Sequence, residues 1–528
     1  MHPYLIVAIG ILTVLGLIIF LRINAFIALI SAALVVSFLA PGPINEKVSR
    51  VAFAFGENAG KIGLVIGFAA VIGEAMMLSG AADRIVQAFL KLMGAERASL
   101  ALMSSGFVLS VPVFFDTVFY LLVPLARSLY RTTRRNYLLY VCAIAAGGAI
   151  THTMVPPTPG PLYMAATLGV PIGLMMLIGL AVAAPAAMTA LWVSKWMDLN
   201  VSIGTLPQFD DGEDAEAALA ARQKEIMRIP LIEALLPVLL PVLLISGDTI
   251  VGALIPKPSA TEKNLTVVVA SQKDAARILK STQENLPAET ELIATLNRSL
   301  ESVTLTLDEV QAQLDSERAA EPAYVATLRK VKPYSELLGN PSLALLVSMM
   351  IAVFTWVRLK APDTKQFSTA VENALLSGGL VILITAAGGA FGAMLKATNM
   401  SDTIRESFQG SQATGFIALA LGFGLAAILK VAQGSSTTAM ITVSGMMAAM
   451  ELTQEKLGFN PVYLCTAIGA GSLVGSWMND SGFWIFARMS GLTEAEALKT
   501  WTPLLLILAT VSLTVTVILA TVMPLNSL

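Results

Sequence analysis

A few ionisable side chains lie in segments that are otherwise apolar. Asp116 belongs to the stretch SVPVFFDTVF and Asp480 to GSWMNDSGFW, and Glu74 and His152 have similarly apolar neighbours. A charge inside a membrane is costly, so ionisable residues at that depth are rare and usually functional. We interpret Asp116 and Asp480 as the best candidates to bind a coupling proton or sodium ion, and Glu74 and His152 as the next candidates.

Uncharged polar side chains cluster in the same segments. The stretch KVAQGSSTTAM begins with a lysine and carries an amide and consecutive hydroxyls around a glycine. Hydroxyls can bind the hydroxyls of a solute, and an ammonium can bind its carboxylate. The candidate substrate-binding residues are Thr151, Thr153, Lys430, Gln433, Ser435, Ser436, Thr437 and Asn479.

Each of these residues also has a purely structural interpretation. Serine and threonine in membrane helices often bond their own backbone or allow close helix packing. Lys430 could extend toward an interface or neutralise an aspartate instead of meeting a solute. His152 could be a hydrogen-bonded structural imidazole, and Glu74 could pair with a basic neighbour. The run of hydroxyls beside a glycine is stronger evidence than any one of its members.

The segments around these residues are long and apolar. Of the 528 residues, 55% are hydrophobic and 13% charged, whereas soluble domains average about 25% charged. Stretches long enough to cross a bilayer occur at 3–21, 23–40, 62–78 and 171–193, and again near the C-terminus. The first is interpreted as a retained helix, because a second follows almost at once. We predict an all-α polytopic membrane protein with about ten spanning helices and two re-entrant hairpins.

Interruptions break the apolar segments where the polar residues lie. The stretch THTMVPPTPGP cannot form one continuous helix, because an interior proline removes a donor and clashes with the preceding turn. Non-helical backbone is tolerated at membrane depth only inside protein or beside a water-filled cavity. The second piece of a broken helix presents its positive N-terminal end, which favours a carboxylate. The sequence therefore predicts broken helices at the midplane whose ends hold an anion.

Basic loops give the predicted topology, because loops rich in lysine and arginine stay in the cytoplasm. The run RSLYRTTRR at 127–135 and the segment 84–97 are both basic, so the apolar stretch 98–126 between them is predicted to enter and leave on the cytoplasmic side. The corresponding stretch 414–450 is followed by acidic residues and is predicted to enter from the opposite side. The N-terminus is predicted to be periplasmic.

The chain also resembles itself. Gly73 aligns with Gly392 and Cys142 with Cys465, an offset of about 320 residues, as in transporters built from duplicated halves. Because the basic loops orient the two copies oppositely, the halves are predicted to be inverted-topology repeats. Inverted repeats with paired breaks are typical of alternating-access carriers.

A polar insertion interrupts the second half. The predicted organisation is a first repeat at 1–200, a cytoplasmic linker at 201–229, the first helix of the second repeat at 230–256, a periplasmic helical insertion at 257–333 and the remainder of the second repeat at 334–528. Apolar residues in the insertion have coiled-coil spacing. They are Ile293, Leu296, Leu300, Val303, Leu307, Val310 and Leu314.

The coiled-coil stripe needs a partner helix, either the segment 274–286 folded back or the same segment in another subunit. The insertion therefore either decorates the carrier or bridges a dimer.

Other classes of protein are less compatible with the sequence. Cys142 and Cys465 lie in apolar segments and form no metal or disulfide framework. No HExxH motif supports a metal hydrolase, and GAGSLVG has the wrong spacing for a dinucleotide loop. Channels are usually built around an axis of parallel subunits rather than from two inverted halves. We expect no enzyme activity, no cofactor and no nucleic-acid partner.

The chain resembles the gluconate permease family of proton symporters, within the ion transporter superfamily. The resemblance rests on VPVFFDTVFYLLVPLA, THTMVPPTPGPL, KVAQGSSTTA and GSLVGSWMNDSGFWIF, which occur in that order. It implies an inner-membrane symporter that carries gluconate or a related sugar acid with protons, and a homodimer with a moving transport domain in each subunit. Ketogluconates, fructuronate and D-serine are alternative substrates that the resemblance leaves open, and sodium remains an alternative to the proton.

Overall fold

The computed structural model describes the chain except residues 1, 18–20, 22, 134, 202–225, 257–259, 285–290, 320–321, 399–413, 479 and 527–528. Every regular element in the described part is a helix. The chain divides into two compact units, Met1–Thr249 with Leu338–Asn526, and Ile250–Leu337. The predicted cytoplasmic linker at 201–229 falls mostly outside the described residues.

The helices up to the linker are α1 (Pro3–Leu15), α2 (Ala25–Leu39), α3 (Ser49–Ser79), α4 (Ala81–Met93), α5 (Ala98–Leu109), α6 (Phe115–Thr133), α7 (Tyr137–Met154), α8 (Pro159–Thr167) and α9 (Ile172–Asn200). Those that follow are α10 (Leu231–Leu254), α11 (Ala260–Glu284), α12 (Glu291–Ala319), α13 (Ala323–Leu338), α14 (Pro341–Lys360), α15 (Thr364–Lys396), α16 (Thr414–Gln433), α17 (Ser436–Ala448), α18 (Gln454–Leu457), α19 (Val462–Gly471), α20 (Ser481–Ser490) and α21 (Glu494–Val522).

Many of these helices have the length and composition of membrane spans. Within the described residues, eight stretches are long and apolar enough to cross a bilayer. They are Ile44–Ser79, Tyr137–Thr167, Ile172–Asn200, Leu231–Leu254, Pro341–Lys360, Thr364–Lys396, Gly415–Gln433 and Glu494–Val522. Large apolar side chains such as Phe354 and Leu376 are well exposed on their surfaces, as lipid-facing residues would be. The predicted all-α polytopic membrane fold is confirmed, while the inverted orientation of its halves stays a prediction.

The first half contains a helical hairpin followed by a broken helix. Helices α5 and α6 are separated by residues 110–114, and α7 and α8 by residues 155–158. The second break contains Pro156 and Pro157, joined by a cis peptide bond. Both interruptions lie at the motifs where the sequence predicts them.

The second half repeats this order of elements. Helices α16 and α17 are separated by Gly434 and Ser435, and α19 and α20 by residues 472–480. Gly434 has a φ of +82°, which a residue with a Cβ rarely adopts, so glycine suits the turn between the two arms of the hairpin. Each half therefore supplies one hairpin turn and one interrupted helix.

Helix α7 lies at the centre of the first unit. It packs against α5, α6, α9 and α21, and every residue from Tyr137 to Met154 is buried except His152. A helix that is apolar on all sides is expected to be surrounded by other helices. The one partly exposed position, His152, opens toward the site described below.

Helices α5 and α7 touch through glycines. A Cβ added to Gly147 would lie 2.2 Å from the carbonyl oxygen of Met103, and one added to Gly106 would lie 2.9 Å from the carbonyl oxygen of Ile144. These neighbours are backbone atoms, so one helix would have to shift to relieve the clash with an added Cβ. Small residues at such contacts allow membrane helices to approach closely.

We expect Gly147→Ala to destabilise the folded protein by roughly 1–3 kcal/mol, the usual cost of overpacking. The measurement is the thermal unfolding midpoint of the purified protein in detergent. Gly60→Ala is the matched control, because a Cβ there meets nothing within 4 Å. A midpoint for Gly147→Ala equal to that of the control would contradict the close contact.

The second unit is a helical assembly of its own. Helix α12 packs along α11, with Val269 of α11 and Leu314 of α12 buried. Glu262 and Arg329 form an ion pair of 2.9 Å between α11 and α13. Along the predicted coiled-coil stripe, Leu300, Val303, Leu307 and Val310 are half-buried, and the side chains of Ile293 and Leu296 lie outside the described residues. In this unit α11 is the helix that covers α12.

Candidate functional site

A cavity of about 370 Å³ lies where the hairpin turns and interrupted helices of both halves meet. Its wall includes the first residues of three helices: Phe115 of α6, Ser436 of α17 and Ser481 of α20. Helix N-termini carry unpaired backbone donors and the positive end of the helix dipole. The cavity therefore has three ends that favour negative charge. It is lined by Phe114, Phe115, Asp116, Ala149, His152, Thr153, Leu380, Val381, Ile384, Lys430, Ser435, Ser436, Thr437, Thr438, Leu473, Asp480, Ser481, Gly482, Trp501 and Leu505.

A buried ion pair joins the second hairpin to the second interrupted helix. The Nζ atom of Lys430 lies 2.7 Å from Oδ2 of Asp480 and donates a second hydrogen bond of 2.6 Å to the carbonyl of Gly434. Lys430 is only 2% exposed. The side chain therefore neutralises an aspartate instead of extending to an interface. Lys430 also belongs to the lining of the cavity.

Several hydrogen-bond donors hold the side chain of Asp480 in position. Its Oδ1 accepts a 3.0 Å hydrogen bond from the backbone N–H of Gly482, which makes Asp480 the N-cap of α20. Its Oδ2 accepts from the hydroxyl of Ser476 as well as from Lys430. Charge-assisted hydrogen bonds of this kind stabilise the ionised carboxylate. Asp480 thus accepts three hydrogen bonds from described residues.

Asp116 contrasts with Asp480. It lies in the first turn of α6 and lines the same cavity, within electrostatic range of both Asp480 and Lys430. Among the residues that the structure describes, none forms a hydrogen bond or ion pair with its carboxylate. The two predicted aspartates are therefore brought together, one of them paired and the other open to the cavity.

The predicted hydroxyls of the second hairpin surround its turn. Ser435 caps α17, accepting a 3.2 Å hydrogen bond from the backbone N–H of Thr438. Ser436 donates to the carbonyl of Ser472 at 2.7 Å, which ties this turn to the break before α20. Thr437 lines the cavity, and no described residue forms a hydrogen bond with its hydroxyl. Thr437 is thus the hydroxyl most available to a solute.

The first half contributes His152 and Thr153 to the cavity. The Nδ1 atom of His152 is buried and has no hydrogen-bond partner among the described residues, and its ring lies 6.0 Å from that of Phe114. Thr153 donates to the carbonyls of Ala149 and Ile150, both at 3.1 Å. The hydroxyl of Thr153 is therefore bonded to carbonyls of its own helix, whereas the imidazole of His152 retains a polar atom without a partner among the described residues.

Three predicted site residues are not among the cavity-lining side chains. Thr151 is 0% exposed, and its hydroxyl is buried without a partner among the described residues. The Nε2 atom of Gln433 likewise has no partner in the described part of the chain. Glu74 lines a different cavity, with Trp356 and Lys360. Asn479 lies outside the described residues.

Trp501 and Ser476 were not predicted as site residues. Trp501 of α21 lines the cavity, and Ser476 supports Asp480. The indole Nε1 of Trp501 donates to the hydroxyl of Ser476 at 2.6 Å. The offset that aligns Cys142 with Cys465 also aligns Thr153 with Ser476, so the internal repeat offered a signal for Ser476. Trp501 lies in an ordinary apolar helix, and no pattern in the sequence pointed to its role.

Among the residues that the structure describes, those lining the cavity carry one ammonium group and two carboxylates, from Lys430, Asp116 and Asp480. With both carboxylates ionised, the cavity holds an excess of one negative charge, and an entering anion would raise that excess. A proton or another cation that enters with the anion would offset the increase. Among the described residues, no three His, Cys, Asp or Glu side chains are grouped as ligands for a metal ion.

The sequence matches the family described as GntP family permease over residues 2–273 and 316–522. The unmatched residues between these blocks lie in α11 and α12 and the segment between them. The matched blocks include all the cavity-lining residues. The family description indicates a permease and not an enzyme.

Curated relatives cover nearly the whole chain. An uncharacterized permease of Haemophilus influenzae is 27% identical over 497 residues, which are 92% of this chain and 86% of the relative. The gluconate permease of Bacillus licheniformis is 26% identical over 518 residues, 98% of this chain and 99% of the relative. The low-affinity gluconate transporter of Escherichia coli K12 is 25% identical over 507 residues, covering 95% and 94%.

Two solved structures resemble the fold. MtrF of Neisseria gonorrhoeae, from a class of antimetabolite efflux pumps, superposes with a TM-score of 0.54 at 12% identity over 95% of both chains. The YdaH transporter of Alcanivorax borkumensis gives a TM-score of 0.52 at 12% identity, over 95% of this chain and 98% of that one. At this identity the likeness concerns the fold alone, which is that of a membrane transporter.

Proposed function

The chain belongs to the GntP permease family, and we propose that it is an inner-membrane symporter that imports a small organic anion such as gluconate together with protons. Two of the relatives above, which are 25–26% identical to this chain, are named as a gluconate permease and a gluconate transporter. Identity at this level leaves room for another sugar acid, hydroxy acid or amino acid such as D-serine. Sodium is the alternative coupling ion.

The observation that carries the proposal is the Lys430–Asp480 pair beside the open carboxylate of Asp116. A solute carboxylate entering the cavity meets the ammonium of Lys430 and the N-termini of α6, α17 and α20. Thr437 offers a hydroxyl to the solute, and Ser435, Ser436 and Thr153 line the same cavity. The proposed solute is therefore an anion that also carries hydroxyl groups.

Asp116 is the proposed site of the coupling proton. Its carboxylate accepts no hydrogen bond from the described residues, whereas Asp480 already accepts from Lys430, Ser476 and Gly482. A proton on Asp116 offsets the charge that a monoanion brings to the cavity. His152 lines the same wall and is the proposed second group on the proton's route, while Glu74 belongs to another cavity.

The proposed transport cycle is alternating access by two inverted halves. Each half contributes a hairpin turn and an interrupted helix to the cavity, as expected for a site at a repeat interface. We propose a homodimer, as the family resemblance implies. A periplasmic N-terminus and a periplasmic location for residues 257–333 are proposed from the basic loops of the sequence.

Uptake into proteoliposomes tests the proposed function. We expect saturable accumulation of at least one acid from a panel of gluconate, ketogluconates, fructuronate and D-serine, driven by an inward proton gradient and abolished by a protonophore. An imposed sodium gradient at symmetric pH is the matched control. Accumulation with sodium alone would overturn proton coupling, and no gradient-dependent uptake of any acid on the panel would overturn the proposed function.

A further inference from the structure

Two buried side chains outside the predicted site hold Asp480 in place. The indole Nε1 of Trp501 donates to Ser476 Oγ at 2.6 Å, and that hydroxyl donates in turn to Asp480 Oδ2. Ser476 is 0% exposed and Trp501 is 2% exposed, so bulk water cannot replace either donor. A short chain of hydrogen bonds therefore ends on the carboxylate that pairs with Lys430.

The chemistry of the groups fixes the direction of this chain. An indole N–H can only donate, so Ser476 Oγ must accept from it, and the hydroxyl proton is left for Asp480. The backbone of Ser476 is held as well, because Thr502 Oγ1 donates to its carbonyl at 2.6 Å. The serine thus has one arrangement available, with its proton on the side of the carboxylate.

We propose that Ser476 and Trp501 are positioning residues for solute binding, acting through Asp480 on Lys430. They hold the carboxylate in one rotamer, and the carboxylate holds the ammonium of Lys430 at the cavity wall, where a solute carboxylate arrives. Without them, Asp480 and Lys430 are free to adopt other rotamers, and binding must supply the free energy that orders them. This inference rests on the proposed function above.

The test uses Ser476→Ala and Trp501→Phe in the full-length carrier. Phenylalanine keeps a ring against Phe115 and Phe486, whose centroids lie 5.5 and 5.1 Å from that of Trp501, and removes the N–H donor together with part of the indole volume. We expect the KM for the transported acid to rise roughly ten-fold in Ser476→Ala, the effect of losing one charge-assisted hydrogen bond, and to rise by less in Trp501→Phe, which removes the neutral donor to Ser476. The maximal rate per folded carrier should change little, and Ser476→Thr should restore the KM.

Two matched controls remove similar groups that do not reach Asp480. Ser472 is 0% exposed and donates to the carbonyl of Gly469 at 2.7 Å, and Trp484 Nε1 donates to the carbonyl of Met478 at 2.7 Å. Ser472→Ala and Trp484→Phe should leave the KM unchanged. An unchanged KM in both test variants, or a lower maximal rate at constant KM, would overturn the positioning role.

A second measurement separates this inference from the proposed function. If the wild-type protein takes up no acid, the proposed function fails, and the thermal midpoints of Ser476→Ala, Asp480→Asn and the double variant then report on the contact alone. Non-additive midpoints support the coupling between Ser476 and Asp480. Additive midpoints overturn it.

Discussion

Asp116→Asn is expected to abolish gradient-driven accumulation and to leave solute exchange intact. Asparagine has nearly the size of aspartate but cannot take up a proton, so the internal solute concentration should rise no higher than the external one. Exchange of labelled for unlabelled solute needs no net proton movement and should persist, because Lys430 and its hydrogen-bond partners are untouched. Proteoliposome uptake and counterflow of the same preparation measure both.

The control for Asp116 is Asp198→Asn. Asp198 is another half-buried carboxylate, and it accepts a 3.1 Å hydrogen bond from the backbone N–H of Leu139 without lining the cavity. We expect wild-type accumulation in that variant. Full accumulation in Asp116→Asn would remove Asp116 from the coupling mechanism, and loss of both accumulation and counterflow would make it a binding residue instead.

Lys430→Met is expected to reduce uptake by at least about 100-fold. The change removes the only cation that lines the cavity among the described residues and leaves Asp480 buried without its partner. Removing one partner of a buried, hydrogen-bonded charge pair costs about 2–5 kcal/mol of binding, and each 1.4 kcal/mol corresponds to about ten-fold. Initial rates of uptake, normalised to folded protein in the vesicles, measure the loss.

Folding and binding effects of Lys430 can be separated. The double variant Lys430→Met with Asp480→Asn removes both charges, so we expect it to recover thermal stability without recovering uptake. Lys396→Met is the matched control, because Lys396 pairs with Glu451 at 3.0 Å but is 63% exposed, and exposed pairs contribute little. Uptake by the double variant near the wild-type rate would show that Lys430 does not bind the solute.

The location of the breaks followed directly from the sequence. Four prolines and a glycine crowded into THTMVPPTPGP, and a glycine among polar residues in KVAQGSSTTAM, predict interruptions, and the structure interrupts its helices at 155–158 and at 434–435. The cavity also collects most of the ionisable residues selected in advance, including Asp116, His152 and Lys430, because polar groups at depth need one another or a cavity. These inferences use only local chemistry and the cost of burial.

Which side chains face the cavity was harder to predict. Thr151 and Thr153 are two positions apart on α7, yet only Thr153 lines the cavity, since positions two apart lie about 200° apart around a helix axis. Trp501 was missed because its role depends on Ser476, a residue 25 positions away in the chain. Contacts of this kind depend on tertiary packing, which periodicity and composition do not encode.

The glycine contacts of α5 and α7 have a counterpart in the second half. A Cβ at Gly471 of α19 would lie 2.2 Å from the carbonyl oxygen of Phe423 in α16, much as one at Gly147 would meet Met103. Helices that interlock backbone to backbone cannot slide past each other without collision. We therefore expect each hairpin to move together with the interrupted helix of its own half, and any sliding surface to lie elsewhere.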